Sequence, residues 1–522
     1  MKAMKSKMCL LGALLLLLSV SSCRKDSDTL IPYDHEDVMA FSDAEKSFAA
    51  KYKVFWNGMN QNYALWDYEM ENGLDWDAEY EKFLPQFEEL DKKDNVENDE
   101  LEELMKKMVE PLHDSHMSVT FKNHHSGKSI TVMPAVLRNS KRPDYIDAKE
   151  GANRRSYFRQ LLSSINKGDV LDIYIASTEL TAALAPVLPN GSVRKWLDAE
   201  IDKLSAKTTP TEMEVQKLFA YLALYKELSG IFSKYSGANL VSYYNQLVVK
   251  YAYLEVPGLV EVSPDFVKGG ITLTYALLKG NIPYIYLSQF GLLNYLKEDR
   301  YNELKLPGNS EMLAKRIQTA WQMWFDKIQE LHKAGTLGGV IIDVRCNPGG
   351  FASDFQYVLG ALLPSGGFVT NQYRYKRGTA RLDYSPLLPQ QMSTYSADHA
   401  VITEPIVVLG DSRSVSMAET TIRGAKLLPN ACFIGKRTWG GFCLLNENST
   451  FSVNYSGHIG VSGKTPVYVY TPLVATFSMD GKQLEGYGNE PDIEVDLDTQ
   501  LFYAGKGDTQ LERALEYIRT GK

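Results

Sequence analysis

The 522-residue sequence has no excess of positive charge: 56 Lys and Arg stand against 64 Asp and Glu, a net charge of −8. Nucleic acid is thereby excluded as the main partner, because binding along phosphates calls for a basic face. Cysteine is scarce, at five residues, and shows no CxxC or Cys/His metal spacing. That excludes a disulfide framework and a small zinc module. With Cys9 and Cys23 set aside near the N-terminus, Cys346, Cys432 and Cys443 remain. A Cys432–Cys443 bridge and free buried thiols both stay open. Beyond the N-terminus no segment is long and apolar enough to be expected to cross a membrane. There is no internal repeat and no GxSxG elbow of the lipase type. No cofactor and no metal is expected.

What is present describes a globular protein. Apolar residues make up 44% and charged ones 23% of the chain, and the length allows two or three domains. At the N-terminus Lys2, Lys5 and Lys7 precede the apolar run "CLLGALLLLLSV" at 9–20, the size expected of a signal peptide. "SVSSC" follows and ends at Cys23. Small residues before a cysteine resemble a bacterial lipobox, which implies lipidation of Cys23. The expectation is a cell-envelope protein held on the membrane by that lipid and facing the periplasm or the cell exterior. "RKDSDTLIPYDHED" then reads as a polar tether.

Residues 36–112 carry apolar positions at three- and four-residue spacing and predict helices. Residues 117–270 mix alternating, strand-like segments ("SVTFKN", "SITVMPAVL") with helical ones ("TEMEVQKLFAYLALYKELSGIF"). From 271 the pattern sharpens. "GITLTYALLKGNIPYIYLSQF" predicts a hairpin turning at Lys279–Asn281. Leu313, Ile317, Trp321, Trp324, Ile328 and Leu331 form one helical stripe, capped by Asn309 or Ser310 and ended by Gly335. "GGVIIDVR" and "EPIVVLG" are continuous apolar runs of the kind buried parallel strands show. A helix from Met417 to Leu428 and the strand "ACFIG" complete an α/β pattern.

In such sheets ligands sit at the C-terminal ends of the strands. Two features fall there. "NPGG" at 347–350 follows "VIIDVR", and "DSRSVSMAE" at 411–419 follows "IVVLG". Paired glycines let backbone amides approach a developing oxyanion, although a tight turn needs the same residues. Ser416 directly precedes the helical run, where the amides and dipole of the helix start favour negative charge; a simple helix cap uses the same position. Ser412 and Ser414 lie earlier, in the loop. A nucleophilic serine needs a base, and the candidate in a suggestive setting is His116 in "PLHDSHMSVTF". His113, His124 and His125 would have to join it for a metal site, and no matching carboxylate spacing supports one.

Taken together, "GGVIIDVRCNPGG", "VVLGDSRSVSMAE", "GKRTWGG" and "EGYGNEPDIEVD" resemble the tail-specific (C-terminal processing) serine protease family. The resemblance covers roughly 271–500 and the "DSH" segment, with no PDZ domain discernible. It implies an α/β fold: a ClpP/crotonase-like catalytic core, here with an N-terminal helical region and a mixed α/β middle region. The implied division is signal peptide 1–23, tether 24–35, N-terminal helical region 36–116, mixed region 117–270, protease domain 271–500 and C-terminal helix 501–522. Alignment on Glu419 puts the nucleophile at Ser416. The base of the family's lysine branch would fall on Gly441, which excludes that dyad, and Lys436 is out of place. The sequence is instead similar to the tricorn branch. That implies His116 as general base, Ser115 orienting it by hydrogen bond, Glu485 acting through Ser115, and the amides of Gly350 and Met417 as the oxyanion hole. A polypeptide substrate follows. The alternative from another class is a catalytically silent lipoprotein that binds peptide, lipid or glycan on the same fold.

Overall fold

A computed structural model describes residues 41–159, 169–177, 191–235, 240–259 (except 241, 242, 245, 248, 249, 255 and 258), 270–297, 310–444 and 458–522. The signal segment, Cys23 and the whole tether lie outside the described residues. No described helix is long and apolar enough to cross a membrane.

The strands in chain order are β1 (Ser118–Lys122), β2 (Ser129–Val132), β3 (Val170–Ser177), β4 (Thr272–Leu278) and β5 (Ile282–Leu287). They continue with β6 (Val340–Asp343), β7 (Phe368–Tyr375), β8 (Leu388–Met392), β9 (Ile406–Gly410) and β10 (Ala431–Gly435). β11 (His458–Ile459), β12 (Val467–Tyr470), β13 (Val474–Phe477) and β14 (Ile493–Glu494) complete the set. Seven of them build the central sheet in the order β14-β10-β9-β6-β5-β4-β3. From β5 through β6, β9 and β10 to β14 the pairing is parallel, and β3–β4–β5 is an antiparallel edge. The parallel strands are buried on both faces, which is why β6 and β9 read as unbroken apolar runs. The hairpin between β4 and β5 turns on Gly280 (φ 95°) and Asn281 (φ 57°), residue types that tolerate the left-handed region.

The helix Ser310–Lys333 lays Ile317, Trp321, Trp324 and Ile328 on one sheet face, as its period requires. The opposite face is covered by Leu511, Ala514 and Leu515 of the helix Thr509–Thr520 and by Phe158 and Phe502. Arg345, fully buried, ties that helix to β6 by pairing with both Asp343 and Asp508.

The N-terminal helices Phe48–Asn62, Trp76–Asp91 and Asn98–Val109 share a second core with a four-stranded sheet of order β11-β12-β1-β2. The described strands and long helices of 117–270 are distributed among three places. β1 and β2 join that sheet, and β3 forms the edge of the central sheet. The helices Ser192–Ser205 and Glu212–Lys234 build a small core of their own. The pairing of β1 with β12, Ser118 opposite Tyr470, carries the "DSH" segment to the C-terminal half of the chain. Cys432 and Cys443 are both free and buried, so the bridge left open by the sequence is not formed.

Candidate active site

The loops after β6 and β9 are neighbours because the strands are, with Asp343 beside Leu409. The serine-rich turn is held by its own side chains. Ser414 Oγ donates to Val344 O (2.7 Å) and accepts from the Asp411 amide (2.9 Å), while Ser412 Oγ donates to Asp144 O (2.6 Å). Two of the three serines are thereby occupied in shaping the turn.

Ser416 is different. It stands directly before the helix Met417–Ala425 with φ 57° and ψ −114°. A non-glycine residue at positive φ is strained and persists only where its surroundings over-determine it. Here Glu419, fully buried, takes the Ser416 amide (3.0 Å) and the Gly441 amide (2.6 Å) on Oε2. Its Oε1 takes the Gly440 amide (2.7 Å) and the Thr438 hydroxyl. One carboxylate thus clamps the start of the helix to the "TWGG" loop. Burial pushes its pKa up to about 7 against the opposing effect of these donors.

The Asn347–Gly350 turn packs against this corner. Val415 donates to Asn347 O (2.9 Å), and Phe290 and Phe351 stitch the glycines to the end of the hairpin. Gly349 (φ 91°) comes so close that a methyl group on it would lie 2.6 Å from Ser416 Cβ and 2.9 Å from the Met417 nitrogen. On Gly350 (φ 138°) it would strike Phe290 O. The amides of Gly350 and Met417 donate to no acceptor among the described residues. Both residues line, with Ser416, a cavity of about 500 Å³. Its walls are Phe290, Phe351, Phe442, Leu444, Tyr470 and Thr420, with the amide side chains of Gln289 and Asn294.

"DSH" forms an Asx-type turn in which Asp114 Oδ1 accepts the amides of His116 (2.8 Å) and Met117 (3.0 Å). Asp114 Oδ2 accepts the Thr471 hydroxyl (2.7 Å). The turn brings His116 against Gly441: a methyl group there would lie 3.2 Å from His116 Cε1 and 3.1 Å from Val415 Cγ1. The imidazole therefore fills, together with Val415, the space that a side chain at 441 would need. Burial lowers its pKa to about 4. Both ring nitrogens are enclosed and have no hydrogen-bond partner among the described residues.

The residues behind the imidazole depart from the sequence expectation. The Ser115 hydroxyl accepts from Arg138 Nη2 (2.7 Å) and does not touch the imidazole. The reason is the guanidinium, largely buried and in need of acceptors, whose other donors go to Leu112 O and Gly486 O. Glu485, fully buried, meets Ser115 through the backbone amide (2.7 Å), and holds the amides of Phe442 (2.6 Å) and Cys443 (2.8 Å). Burial raises the pKa values of both Asp114 and Glu485, and the charge of Asp114 adds to the rise at Glu485. The remaining candidates lie apart. Lys436 pairs with Glu494 and Asp496, His113 with Glu69, and His124 and His125 face Lys51 and the Val96 amide. Asp114, Arg138, Arg142 and the clamping role of Glu419 escaped the sequence reading. "DSH" contains the first, and Glu419 served only as an alignment mark.

Residues 281–495 match the model of Peptidase family S41. Tricorn protease of Thermoplasma volcanium is 27% identical over 180 residues, 34% of this chain and 14% of its own. A protein of Sulfurisphaera tokodaii described as a tricorn-like protease C-terminal subunit is 28% identical over 192 residues, 36% and 18%. The chain thus spans less than a fifth of the length of these curated relatives. Among solved structures, a peptidase from Parabacteroides merdae aligns over 91% of this chain and 98% of its own, at 16% identity and a TM-score of 0.48. Residues 281–495 thus resemble peptidase family S41, and about a third of the chain is similar to proteins described as tricorn-type proteases.

Proposed function

We propose that the chain is a serine endopeptidase that cleaves polypeptides through an acyl-enzyme on Ser416. The observation that carries this is the strained Ser416, set at a helix start with two unengaged amides beside it and an imidazole packed against Gly441, whose amide shares Glu419 Oε2 with that of Ser416. Burial keeps His116 neutral near pH 7, the form a general base requires. His116 takes the hydroxyl proton as Ser416 Oγ attacks the carbonyl carbon. The oxyanion forms against the amides of Gly350 and Met417. The same proton passes to the leaving amine as the peptide bond breaks, and water repeats the sequence to release the acid. Proton transfer of this kind is worth roughly 100- to 10,000-fold, and each oxyanion donor roughly 100- to 1,000-fold. Ser115 and Glu485 support the imidazole from behind through the turn that carries it. A closing shift on substrate binding is required, since the His116 imidazole has no hydrogen-bond partner among the described residues; catalytic contacts commonly tighten only in the complex.

We further propose that lipidation of Cys23 anchors the enzyme in the cell envelope, outside the cytoplasm. A palmitate analogue fed to the producing cells should label the chain, and Cys23→Ser should abolish the label. The unengaged imidazole also favours a second reading, a silent peptide-, lipid- or glycan-binding module. A fluorophosphonate probe separates the two. Labelling at Ser416, with peptide cleavage lost in Ser416→Ala and His116→Ala, supports the peptidase. Absence of label, with unchanged behaviour of both variants on every peptide tried, supports the module.

A further inference from the structure

Behind the nucleophile lies a group of donors that the reaction alone does not account for. One ring nitrogen of His116 and one carboxylate oxygen each of Asp114 and Glu485 lie within 4.8 Å of one another. The hydrogen bonds leave Asp114 one oxygen with lone-pair capacity to spare. Asp114 Oδ1 is filled by two amides, but Oδ2 accepts only the Thr471 hydroxyl. Glu485 Oε2 accepts two amides and Oε1 the Ser115 amide, with the Cys443 thiol also hydrogen-bonded to the carboxylate. His116 keeps both nitrogens unpartnered although they are shut off from solvent. Buried polar groups are normally paired, and each exception needs an explanation.

The charges point the same way. Two carboxylates are enclosed together, and the largely buried Arg138 directs its donors to Leu112 O, Gly486 O and the Ser115 hydroxyl. Neither carboxylate receives a charged hydrogen bond. Glu69, the next acid along, is already paired with His113. One imidazole nitrogen and two carboxylate oxygens within 4.8 Å of one another form a ligand set for a borderline-soft ion of the zinc type. Magnesium and calcium prefer all-oxygen shells. Ligand atoms around tetrahedral zinc, each about 2.0–2.2 Å from the metal, stand roughly 3.3–3.6 Å apart, so the donors need to contract only modestly.

We propose that Asp114, His116 and Glu485 form a binding site for a divalent zinc-type ion, and that the ion inhibits the enzyme. The ion takes the imidazole lone pair that would otherwise receive the Ser416 proton. The inhibitory half rests on the peptidase reading above; the binding half does not.

The test is calorimetric titration of chelator-stripped full chain carrying Ser416→Ala with Zn²⁺. One zinc site is expected. His116→Gln or Asp114→Asn, added singly, should weaken it at least about 10-fold, while His124→Ala and His332→Gln leave it unchanged. Mg²⁺ and Ca²⁺ should not compete. Should the ligand variants fail to fold, the ligand-field spectrum of Co²⁺ in the Ser416→Ala chain decides: a tetrahedral nitrogen/oxygen signature displaced by Zn²⁺ supports the site, and an octahedral aquo spectrum overturns it. Unchanged zinc affinity in both ligand variants also overturns it. Peptide hydrolysis by the unaltered enzyme should fall with Zn²⁺ and return on chelation; hydrolysis indifferent to bound zinc overturns the inhibitory half. Zinc binding without any peptidase activity would sink the catalytic reading and leave the site standing.

Discussion

Gly441 is the position at which the histidine mechanism can be probed without touching a catalytic atom. A methyl group added there would sit 3.1 Å from Val415 Cγ1, 3.2 Å from His116 Cε1 and 3.5 Å from Glu419 Oε2. Ordinary carbon contacts lie at about 3.5–4.0 Å, so something must yield by about half an ångström. The backbone is pinned on both sides, by Glu419 at the Gly441 amide and by Glu485 at the amides of Phe442 and Cys443. Val415 is held through its amide to Asn347 O. The imidazole, with no hydrogen bond of its own, is the group free to move.

Misplacing a reacting group by about 1 Å costs on the order of 100-fold in rate. Half that displacement predicts a fall in kcat of about 10-fold, or about 1.4 kcal/mol. Gly441 does not line the cavity beside Ser416, so KM should stay within about twofold. The assay is steady-state hydrolysis of a fluorogenic peptide by Gly441→Ala, with a thermal melt to show that the fold survives. His116→Ala and the double variant complete a cycle. If the alanine acts through the imidazole, the double variant should be no slower than His116→Ala alone. The reasoning is refuted if Gly441→Ala keeps full kcat in an intact fold, or if its loss simply multiplies with that of His116→Ala.

Three further outcomes are expected. Glu419→Gln replaces an acceptor of four donors by a group that offers hydrogens to some of them; it should cost about 2–4 kcal/mol of stability and lower kcat, measured by denaturant unfolding and peptide turnover. Asp354 caps the amides of Leu292 and Leu293 from a buried position, and burial raises its pKa from 3.8 to about 7. The folded chain then binds the extra proton between these values, so this group's contribution is full below about pH 4 and is lost as pH rises through 7. Asp354→Asn should flatten the stability–pH slope in that window. Finally, no described residue lining the cavity beside Ser416 is an acid or a base charged near pH 7. A charged side chain placed there would be desolvated without a partner, so peptides with Phe or Leu before the cleaved bond should exceed those with Asp or Lys by at least about 100-fold in kcat/KM. Equal cleavage would mean that the cavity does not receive that side chain.

What the sequence makes legible follows the range of the interaction. The Trp321–Trp324–Ile328 stripe and the apolar β6 and β9 can be read because their period is local. Ser416 and the paired glycines can be read because a strand end followed by a helix start defines its own chemistry. β3 is not placed by its alternation alone, since its partner β4 begins at Thr272, nearly a hundred residues on. Nor does a local pattern indicate what Ser115 does with its hydroxyl. That is decided by Arg138, whose role depends on carbonyls brought together from two segments, at Leu112 and Gly486.

Those carbonyls explain why the arginines are there. The "TWGG" and "EGYG" loops approach one another backbone to backbone. Gly440 at φ 95° leaves no room for a side chain against Gly486 and Tyr487, and Gly488 at φ 101° leaves none against Thr438. Glycine loops packed this closely have no side chains to satisfy their own carbonyls, and an unpaired buried carbonyl is costly. Arg138 and Arg142, four residues apart, supply the missing donors. One serves Gly486 O and Leu112 O, the other Arg437 O and Thr438 O. Arg142 is itself neutralised by Asp144. The same clamp that lets the loops meet thus draws the Ser115 hydroxyl away from the imidazole, and leaves His116 positioned by packing against Gly441 rather than by a hydrogen bond.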